Sequence, residues 1–345
     1  MCARVANLHP EIGNLALCNL DASALAPIPR PRVRRVLKTS NQSRALGASW
    51  HPDSRRAVSV YQSGAVVVWD VVDSQAMQYM PRSFVTSVAV SPNLAKTIVA
   101  LGGLDNVVSI CDMSNDVEQC EVGKTLPAPD GVGHEGMITA LAFLDDKELL
   151  TASGDGDLRT WDVESGVSVH TFRGHGRHVT SLALGTLSQS PLAASGSLDA
   201  TVRLWDVRSG ERTHTLPATS EVSGVGFFPG GMLVAAACVD GAVRIFDVRH
   251  AAAVGELTTP DAQCCTGLAW SLSGRALYTT HTTGQVRVWD PLGHNAGCIH
   301  KIPVVQAVGS TKPELATIEI APDGSALLIA CHDGSVRAIA MAAAK

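Results

Sequence analysis

The sequence predicts an all-β fold, a seven-bladed β-propeller preceded by a short N-terminal extension. Six times along the chain an aromatic residue or a cysteine is followed by aspartate, and successive pairs lie 41 to 50 residues apart. Repeats of that length are typical of propeller blades, four-stranded sheets that must stack on their neighbours to bury their apolar faces. Within each repeat, short runs alternate apolar and polar residues, which indicates half-buried β-strands. The six pairs are Trp69-Asp70, Cys111-Asp112, Trp161-Asp162, Trp205-Asp206, Phe246-Asp247 and Trp289-Asp290.

A seventh repeat closes the predicted ring. His332, Asp333 and Gly334 occupy the turn that precedes the closing position, where Ile339 replaces the aromatic residue. We expect the strand at residues 33–37 to pair with strands from residues 316–340, because closure by both chain ends leaves no long sheet edge exposed. The propeller is therefore assigned to residues 34–345 and the extension to residues 1–33.

The blades follow one another along the chain. They span residues 46–70 with an outer strand at 76–79, then 85–112, 137–162, 179–206, 222–247, 266–290 and 316–340. The connections 113–133 and 291–315 are long, and long loops in a compact domain are candidates for function or mobility. In the extension, Leu8, Ile12 and Leu15 have helical spacing, but Pro10 and Gly13 limit any helix to about three turns, too short for a coiled coil.

Composition and charge argue against several classes of protein. A net charge of -5 and a pI near 6.2 do not indicate a nucleic-acid-binding face. The longest apolar run is far below the roughly 18 residues that span a bilayer. Nine cysteines without regular spacing, mostly in strand-like runs, indicate reduced thiols in a cytoplasmic protein. The basic run from Arg30 to Lys38 is interpreted as a solvated approach to the first strand, with contact to phosphate or anionic lipid as the alternative.

Two repeats contain a histidine, a hydroxyl, an aspartate and a tryptophan at matching positions. They are His134, Thr151, Asp155 and Trp161 in the third repeat and His175, Ser195, Asp199 and Trp205 in the fourth. The set has the residue types of a hydrolase triad. It also resembles the structural chain of WD repeats, in which aspartate holds the imidazole, the imidazole bonds the hydroxyl and the hydroxyl bonds the indole N–H. The resemblance implies a buried, satisfied network.

The other repeats vary at the aspartate position. Asp105, Asp240 and Asp333 keep the acid, whereas Ser63 and Thr283 replace it in the first and sixth repeats, which we expect to open more easily. His175 and His178 have no Cys or carboxylate at ligand spacing, so no metal site is predicted. No glycine-rich loop opens a helix with a lysine, so no phosphate cradle is predicted. We therefore expect neither an enzyme nor a cofactor.

Several segments resemble one family of WD-repeat proteins, the beta subunits of heterotrimeric G proteins. The matching segments are 99–106 with 109–110 in the second blade, 143–146 with 151–155 in the third, 204–208 in the fourth, and 227–229 with 244–249 in the fifth. They include the exchange of Trp for Phe246 that marks the family's fifth blade. The similarity extends from about Arg34 to Arg337 and implies signal transduction through an alpha subunit or effectors.

The resemblance also implies a partner-binding surface on the narrow face of the ring. Its residues here are Arg44, Leu46, Phe84, Thr86, Leu104, Met137, His178, Glu221, Val239 and His332. Leu104 keeps the family residue and Phe84 keeps aromatic bulk. Leu46 and Met137 replace tyrosines, His178 and Val239 replace aspartates, and His332 replaces a tryptophan. Because aromatic anchors dominate such interfaces, an alternative stays open: a beta-like scaffold in a larger assembly, cytoskeletal or ciliary for example.

Expectations for the gamma subunit and the membrane follow from the extension. The family coils a long N-terminal helix with gamma, and residues 1–33 do not provide one, so the coiled-coil half of that contact is missing. Pro10 and Glu11 interrupt any secretion signal, so we expect a cytoplasmic protein, peripheral to membrane or cytoskeleton. Cys2 is a candidate for acylation, but Ala3 stands in place of a myristoylation glycine. No direct membrane insertion and no nucleic-acid partner are expected.

Overall fold

A computed structural model of the chain shows a ring of seven four-stranded antiparallel sheets, which confirms the predicted propeller. The structure describes residues 30–38, 43–80, 84–95, 97–113, 122–127, 131–187, 190–259, 261, 263–291, 297–305 and 314–342. The predicted N-terminal helix and Cys2 lie outside these residues. Across the described ranges, no helix is long and apolar enough to cross a membrane.

Strands pair in chain order within each blade, and the first strand of every blade contacts its counterparts in the two adjacent blades. These first strands are the inner ring. Blade one consists of β2 (Ala45–Trp50), β3 (Arg56–Tyr61), β4 (Val66–Asp70) and β5 (Gln75–Tyr79). Blade two consists of β6 (Val85–Val90), β7 (Ile98–Gly103), β8 (Val108–Asp112) and β9 (Val122–Leu126). Blade three consists of β10 (Ile138–Phe143), β11 (Glu148–Ser153), β12 (Leu158–Asp162) and β13 (Ser168–Phe172).

The remaining four blades continue the ring. Blade four consists of β14 (Val179–Leu187), β15 (Ser190–Ser197), β16 (Thr201–Asp206) and β17 (Glu211–Pro217). Blade five consists of β18 (Val222–Phe227), β19 (Leu233–Cys238), β20 (Val243–Asp247) and β21 (Ala252–Leu257). Blade six consists of β22 (Cys265–Trp270), β23 (Leu277–His281), β24 (Gln285–Trp289) and β25 (Cys298–Pro303). Blade seven consists of β26 (Leu315–Ile320), β27 (Ala326–Cys331), β28 (Ser335–Ala342) and, as outer strand, β1 (Arg30–Lys38).

Both ends of the chain close the ring, as predicted. Strand β1 pairs antiparallel with β28, in a register that runs from Arg30 opposite Ala342 to Lys38 opposite Ser335. It therefore spans the boundary that the sequence places between residues 33 and 34. Blade seven is joined to blade one by Glu319, whose Oε2 accepts the Trp50 amide at 3.0 Å. Arg35, from the basic run, donates to Ser74 Oγ of blade one at 2.6 Å.

The core lies between the blades. On β19, alternate residues enter two different clusters, because a pleated strand inside the ring is covered on both faces. Leu233, Ala235 and Ala237 pack toward blade six, and Val234, Ala236 and Cys238 pack toward blade four. Burial on both faces explains why this segment is one continuous apolar run.

The two long connections proved to contain outer strands. Strand β9 lies within residues 113–133 and β25 lies within residues 291–315, so neither connection is a loop over its whole length. The physical reason is the position at the outer edge. In β25, alternate residues are half-buried and exposed and none is fully buried, so the strand needs no run of large apolar residues that would identify it.

Candidate functional site at the upper rim

One end of the ring, here called the upper rim, has the same construction in all seven blades. It consists of the residue just before each inner strand and the residue just after each second strand, and the amide of the latter donates to the carbonyl of the former. The bonds run from Gln62 to Arg44, Leu104 to Phe84, Gly154 to Met137, Leu198 to His178, Val239 to Glu221, Thr282 to Cys264 and His332 to Glu314, at 2.8 to 3.2 Å. The propeller thus presents seven rigid, equivalent pairs at one end.

The residues predicted from the family resemblance fall at this end. Eight of them belong to the hydrogen-bonded pairs, and the other two, Leu46 and Thr86, lie two residues further along β2 and β6. Thr86 is half-buried, and its hydroxyl donates to Ile138 O of blade three at 2.7 Å. That hydroxyl therefore joins two blades and does not face solvent as a donor.

Blades two and three give the upper rim an apolar sector. Phe84 is 54% exposed and Leu104 is 51% exposed, and Met137 of the next blade is exposed too. Phe84 also has a φ of 62°, in the left-handed region that residues with a Cβ seldom adopt. Gly103 has no Cβ, which lets the Phe84 carbonyl approach closely. An exposed aromatic side chain on a strained backbone is a reason to infer function at that place.

Blades four, five and seven give a polar sector in which each glutamate contacts a basic side chain of the same chain. Arg177 Nη1 lies 2.7 Å from Glu221 Oε1 and also donates to Leu198 O at 3.0 Å. His332 Nδ1 lies 3.1 Å from Glu314 Oε2. His178 of blade four and Val239 of blade five are exposed at the same end of the ring. The predicted charge at Glu221 is thus engaged by a neighbouring arginine.

Sequence reasoning missed about half of the upper rim. The residues not predicted are Gln62, Gly154, Leu198, Cys264, Thr282 and Glu314, together with Arg177 beside them. Their positions repeat with the blades, so aligning all seven repeats on the closing residue would have found them. The family resemblance was instead transferred segment by segment, without comparing equivalent positions of the seven blades.

The histidine sets of blades three and four form hydrogen-bonded chains below the upper rim. His134 Nδ1 lies 2.9 Å from Asp155 Oδ2, and His134 Nε2 lies 2.7 Å from Thr151 Oγ1. The same hydroxyl oxygen accepts the Trp161 indole N–H at 2.9 Å. In blade four the chain is Asp199, His175, Ser195 and Trp205, with distances of 2.8, 2.7 and 2.8 Å.

These chains leave no accessible nucleophile. Ser195 is fully buried, and its oxygen bonds both the imidazole and the indole N–H. Burial opposes ionisation of Asp199, but hydrogen bonds from Thr201, His175 and the Gly176 amide outweigh it and lower the pKa to about 2. Burial lowers the pKa of His175, and Asp199 opposes that shift. Among the described residues, no three His, Cys, Asp or Glu side chains are placed to hold a metal ion.

Blades one and six reach the same indole bond by another route. Trp289 Nε1 donates to Thr279 Oγ1 at 2.8 Å, and Thr279 Oγ1 lies 2.9 Å from Nε2 of His281. His281 comes from the end of β23, not from the connection before the inner strand. In blade one, Trp69 Nε1 donates to Ser59 Oγ at 2.7 Å, and Ser59 lies 3.4 Å from the Tyr61 hydroxyl. The two blades that lack the aspartate therefore still place an aromatic side chain against the hydroxyl that accepts the indole N–H.

Comparison with known proteins agrees with this construction. The family model described as WD domain, G-beta repeat matches residues 125–162, 166–206 and 210–247. A guanine nucleotide-binding protein subunit beta from Solanum tuberosum is 29% identical over 326 residues, covering 88% of this chain and 82% of the relative. Subunit beta-1 from Nicotiana tabacum is 30% identical over 321 residues, with the same coverage of 88% and 82%. Subunit beta-5b from Danio rerio is 32% identical over 312 residues, covering 89% of this chain and 75% of the relative.

Identity at this level over most of both chains, together with seven blades and WD-type hydrogen-bond chains, establishes the family. The relation extends well beyond the three repeats that the family model matches, because the aligned stretches cover nearly nine-tenths of the chain. This chain belongs to the family of guanine nucleotide-binding protein beta subunits.

Proposed function

We propose that this chain is a non-catalytic protein-interaction platform of the G-protein beta type, which binds an alpha subunit or an effector through the upper rim. The observation that supports it most is Phe84, exposed on a left-handed backbone next to Leu104. Aromatic and large apolar side chains at the centre of an interface contribute most of its binding energy. A ring that presents such side chains suits binding.

A second candidate is a scaffold subunit of a larger assembly outside G-protein signalling. The ion pair between Arg177 and Glu221, at 2.7 Å, favours it. A partner that used either charge would have to break this pair, and the replacement of family aspartates by His178 and Val239 removes further charge. Binding of a gamma subunit is doubtful and untested, since residues 1–29 of the extension that would contact it lie outside the described residues.

The test compares two double variants of the full chain. The variant Phe84→Ala with Leu104→Ala loses two exposed apolar groups from the upper rim. Its affinity for the main partner should fall at least about tenfold, while its melting temperature should not change. The control is Leu94→Ala with Met232→Ala, which removes similar groups from hairpin turns at the opposite end of the ring. Binding should survive in the control.

Affinity capture followed by mass spectrometry separates the two candidates. Recovery of an alpha subunit that depends on Phe84 and Leu104 supports the signalling platform. A stoichiometric structural complex without an alpha subunit supports the scaffold. If the upper-rim variant binds its partner as tightly as the control does, the surface has been assigned to the wrong end of the ring.

A further inference from the structure

Arginine occupies the same position in five blades, two residues before the closing residue. These arginines are Arg159, Arg203, Arg244, Arg287 and Arg337. Four of them reach acceptors: Val132 O for Arg159, Asp240 and Glu256 for Arg244, Asp261 and Gln263 for Arg287, and Asp333 with Val304 O for Arg337. The arginine of blade four is the exception.

Arg203 is mostly buried and poorly satisfied. Its side chain is 12% exposed, and within the described chain neither Nε nor Nη1 has a hydrogen-bond partner. Its Nη2 lies 4.0 Å from Asp199 Oδ2, beyond hydrogen-bonding distance, and that oxygen already accepts from His175 and the Gly176 amide. Burying a cation without acceptors is costly. The ion pair with Asp199 therefore leaves two of the three guanidinium nitrogens of Arg203 without an acceptor among the described residues.

A second arginine converges on the same point. A Cβ built on Gly174 would overlap Nη1 of Arg203 and would lie 3.5 Å from Nη1 of Arg212. Arg212, on β17, is exposed and forms no ion pair with any described residue. Burial lowers the pKa of Arg203, and the charge of Arg212 lowers it further against the opposing effect of Asp199. The two guanidinium groups thus meet beside the Cα of Gly174, where the lack of a side chain lets Arg203 approach.

In blade six, an aspartate of the chain itself lies between two cations. Asp261, in the connection before β22, bridges two cations: its Oδ2 lies 2.8 Å from Arg287 Nη2 and 3.1 Å from Lys301 Nζ. At the same distance before β14, blade four has His175, which is already bonded to Asp199. Arg212 lies opposite Trp205 and is therefore not the positional counterpart of Lys301, which lies opposite Arg287. Among the described residues of blade four, however, no carboxylate forms an ion pair with both Arg203 and Arg212.

We propose that blade four binds a small oxyanion, a phosphate or carboxylate group, between Arg203 and Arg212 above Gly174. Charge-assisted hydrogen bonds from two guanidinium groups are the usual means of holding such anions in proteins. The anion bridges two cations as Asp261 does in blade six, although His175 occupies the position of Asp261 in blade four. The site is independent of the exposed apolar sector of the upper rim, so it can be tested without knowing the protein partner.

The test is calorimetric titration of the full chain with inorganic phosphate and, in a second arm, with acetate, both at an ionic strength held constant with chloride. Wild type should bind one equivalent of at least one of the two anions. Arg212→Gln should weaken that binding about tenfold or more, since it removes one charge-assisted contact. Gly174→Ala should weaken it as much without changing the charge, because the added methyl group displaces Arg203.

The matched control is Arg208→Gln, an exposed arginine four residues before Arg212, which should keep its affinity within about twofold. Binding of phosphate alone assigns the site to phosphate groups, and binding of acetate assigns it to carboxylates. No saturable binding of either anion by wild type would overturn the proposal. Equal weakening by Arg208→Gln and Arg212→Gln would overturn it too, because net charge alone would then account for the effect.

Discussion

Blades four and six both bury a hydroxyl that accepts an indole N–H. The histidine that contacts this hydroxyl comes from a different part of each blade. In blade four, His175 comes from the connection before the inner strand and is held by Asp199 at 2.8 Å. In blade six, His281 stands at the end of the second strand, and its Nδ1 lies 3.0 Å from Gln263 O. One blade uses an ion to fix its imidazole, and the other uses a backbone carbonyl.

The difference determines how each blade responds to protons and to mutation. Burial and then the charge of Arg287 lower the pKa of His281 to about 4, and backbone hydrogen bonds with Gln263 and Cys264 and the charge of Asp261 only partly oppose them. In blade four the carboxylate of Asp199 acts directly on the imidazole and opposes the lowering by burial. The stability of blade four should therefore depend most on the carboxylate of Asp199, and the stability of blade six should depend most on a neutral imidazole at His281.

The largest expected effect is that of Asp199→Ala. Removing the carboxylate leaves the buried His175 and the Gly176 amide without their acceptor, which should lower the free energy of unfolding by about 2 to 4 kcal/mol. Since the pKa of Asp199 is lowered to about 2 from 3.8, its contribution is present above about pH 4 and is lost as the pH falls toward 2. Chemical denaturation at pH 7 measures the loss.

The matched control for that variant is Asp240→Ala. Asp240 occupies the same turn position in blade five but is itself exposed, and its partner Arg244 keeps a second carboxylate, Glu256, so its removal should cost about 1 kcal/mol or less. Equal losses for the two variants would mean that the turn, and not the imidazole, accounts for the stabilisation. An unchanged melting temperature for Asp199→Ala would contradict the structural role of the chain.

A smaller effect, confined to acid, is expected for His281. An imidazole with a lower pKa in the folded than in the unfolded protein binds fewer protons when folded, so stability is lost as the pH falls from 6.5 toward 4. Wild type should lose about 2 kcal/mol over this range that His281→Gln does not lose. Denaturation curves of both proteins at several pH values measure the difference.

The exposed His178 supplies the control for the acid effect. His178→Gln removes a histidine from the upper rim without touching blade six, so its stability should follow that of wild type throughout the range. If the stability of His281→Gln also changes with pH as that of wild type does, the surroundings of His281 do not hold its imidazole neutral. The contrast with blade four then fails.

The blades themselves could be read from the sequence because their repeats impose a period, and the four residues of blades three and four recur at fixed offsets. Tyr61 and His281 could not be recognised in the same way. Each lies at the end of a strand whose last five residues are all buried, where an aromatic ring is an ordinary part of the core. Only the distance to the hydroxyl two residues earlier shows that they belong to the indole chain.

The upper rim was predictable in position but not in chemistry. Family resemblance placed Phe84 and Leu104 at one end of the ring, where the structure has them exposed. It could not show that Glu221 is paired with Arg177 of the preceding blade, because such a contact joins residues 44 positions apart. Side-chain pairing between repeats depends on the packing of the blades, which no single repeat specifies.

The smallest expected effect concerns the hydroxyl of Tyr61, the counterpart of His281 in blade one. Its bond with Ser59 is 3.4 Å long, so Tyr61→Phe should cost about 1 kcal/mol or less. Tyr278 is the matched control, since it is equally buried and its hydroxyl has no hydrogen-bond partner among the described residues. Tyr278→Phe should be neutral or stabilising, because it removes a buried hydroxyl that nothing satisfies. Thermal unfolding of both variants ranks them, and a greater loss for Tyr278→Phe would show that the Tyr61 hydroxyl takes no part in holding the indole chain.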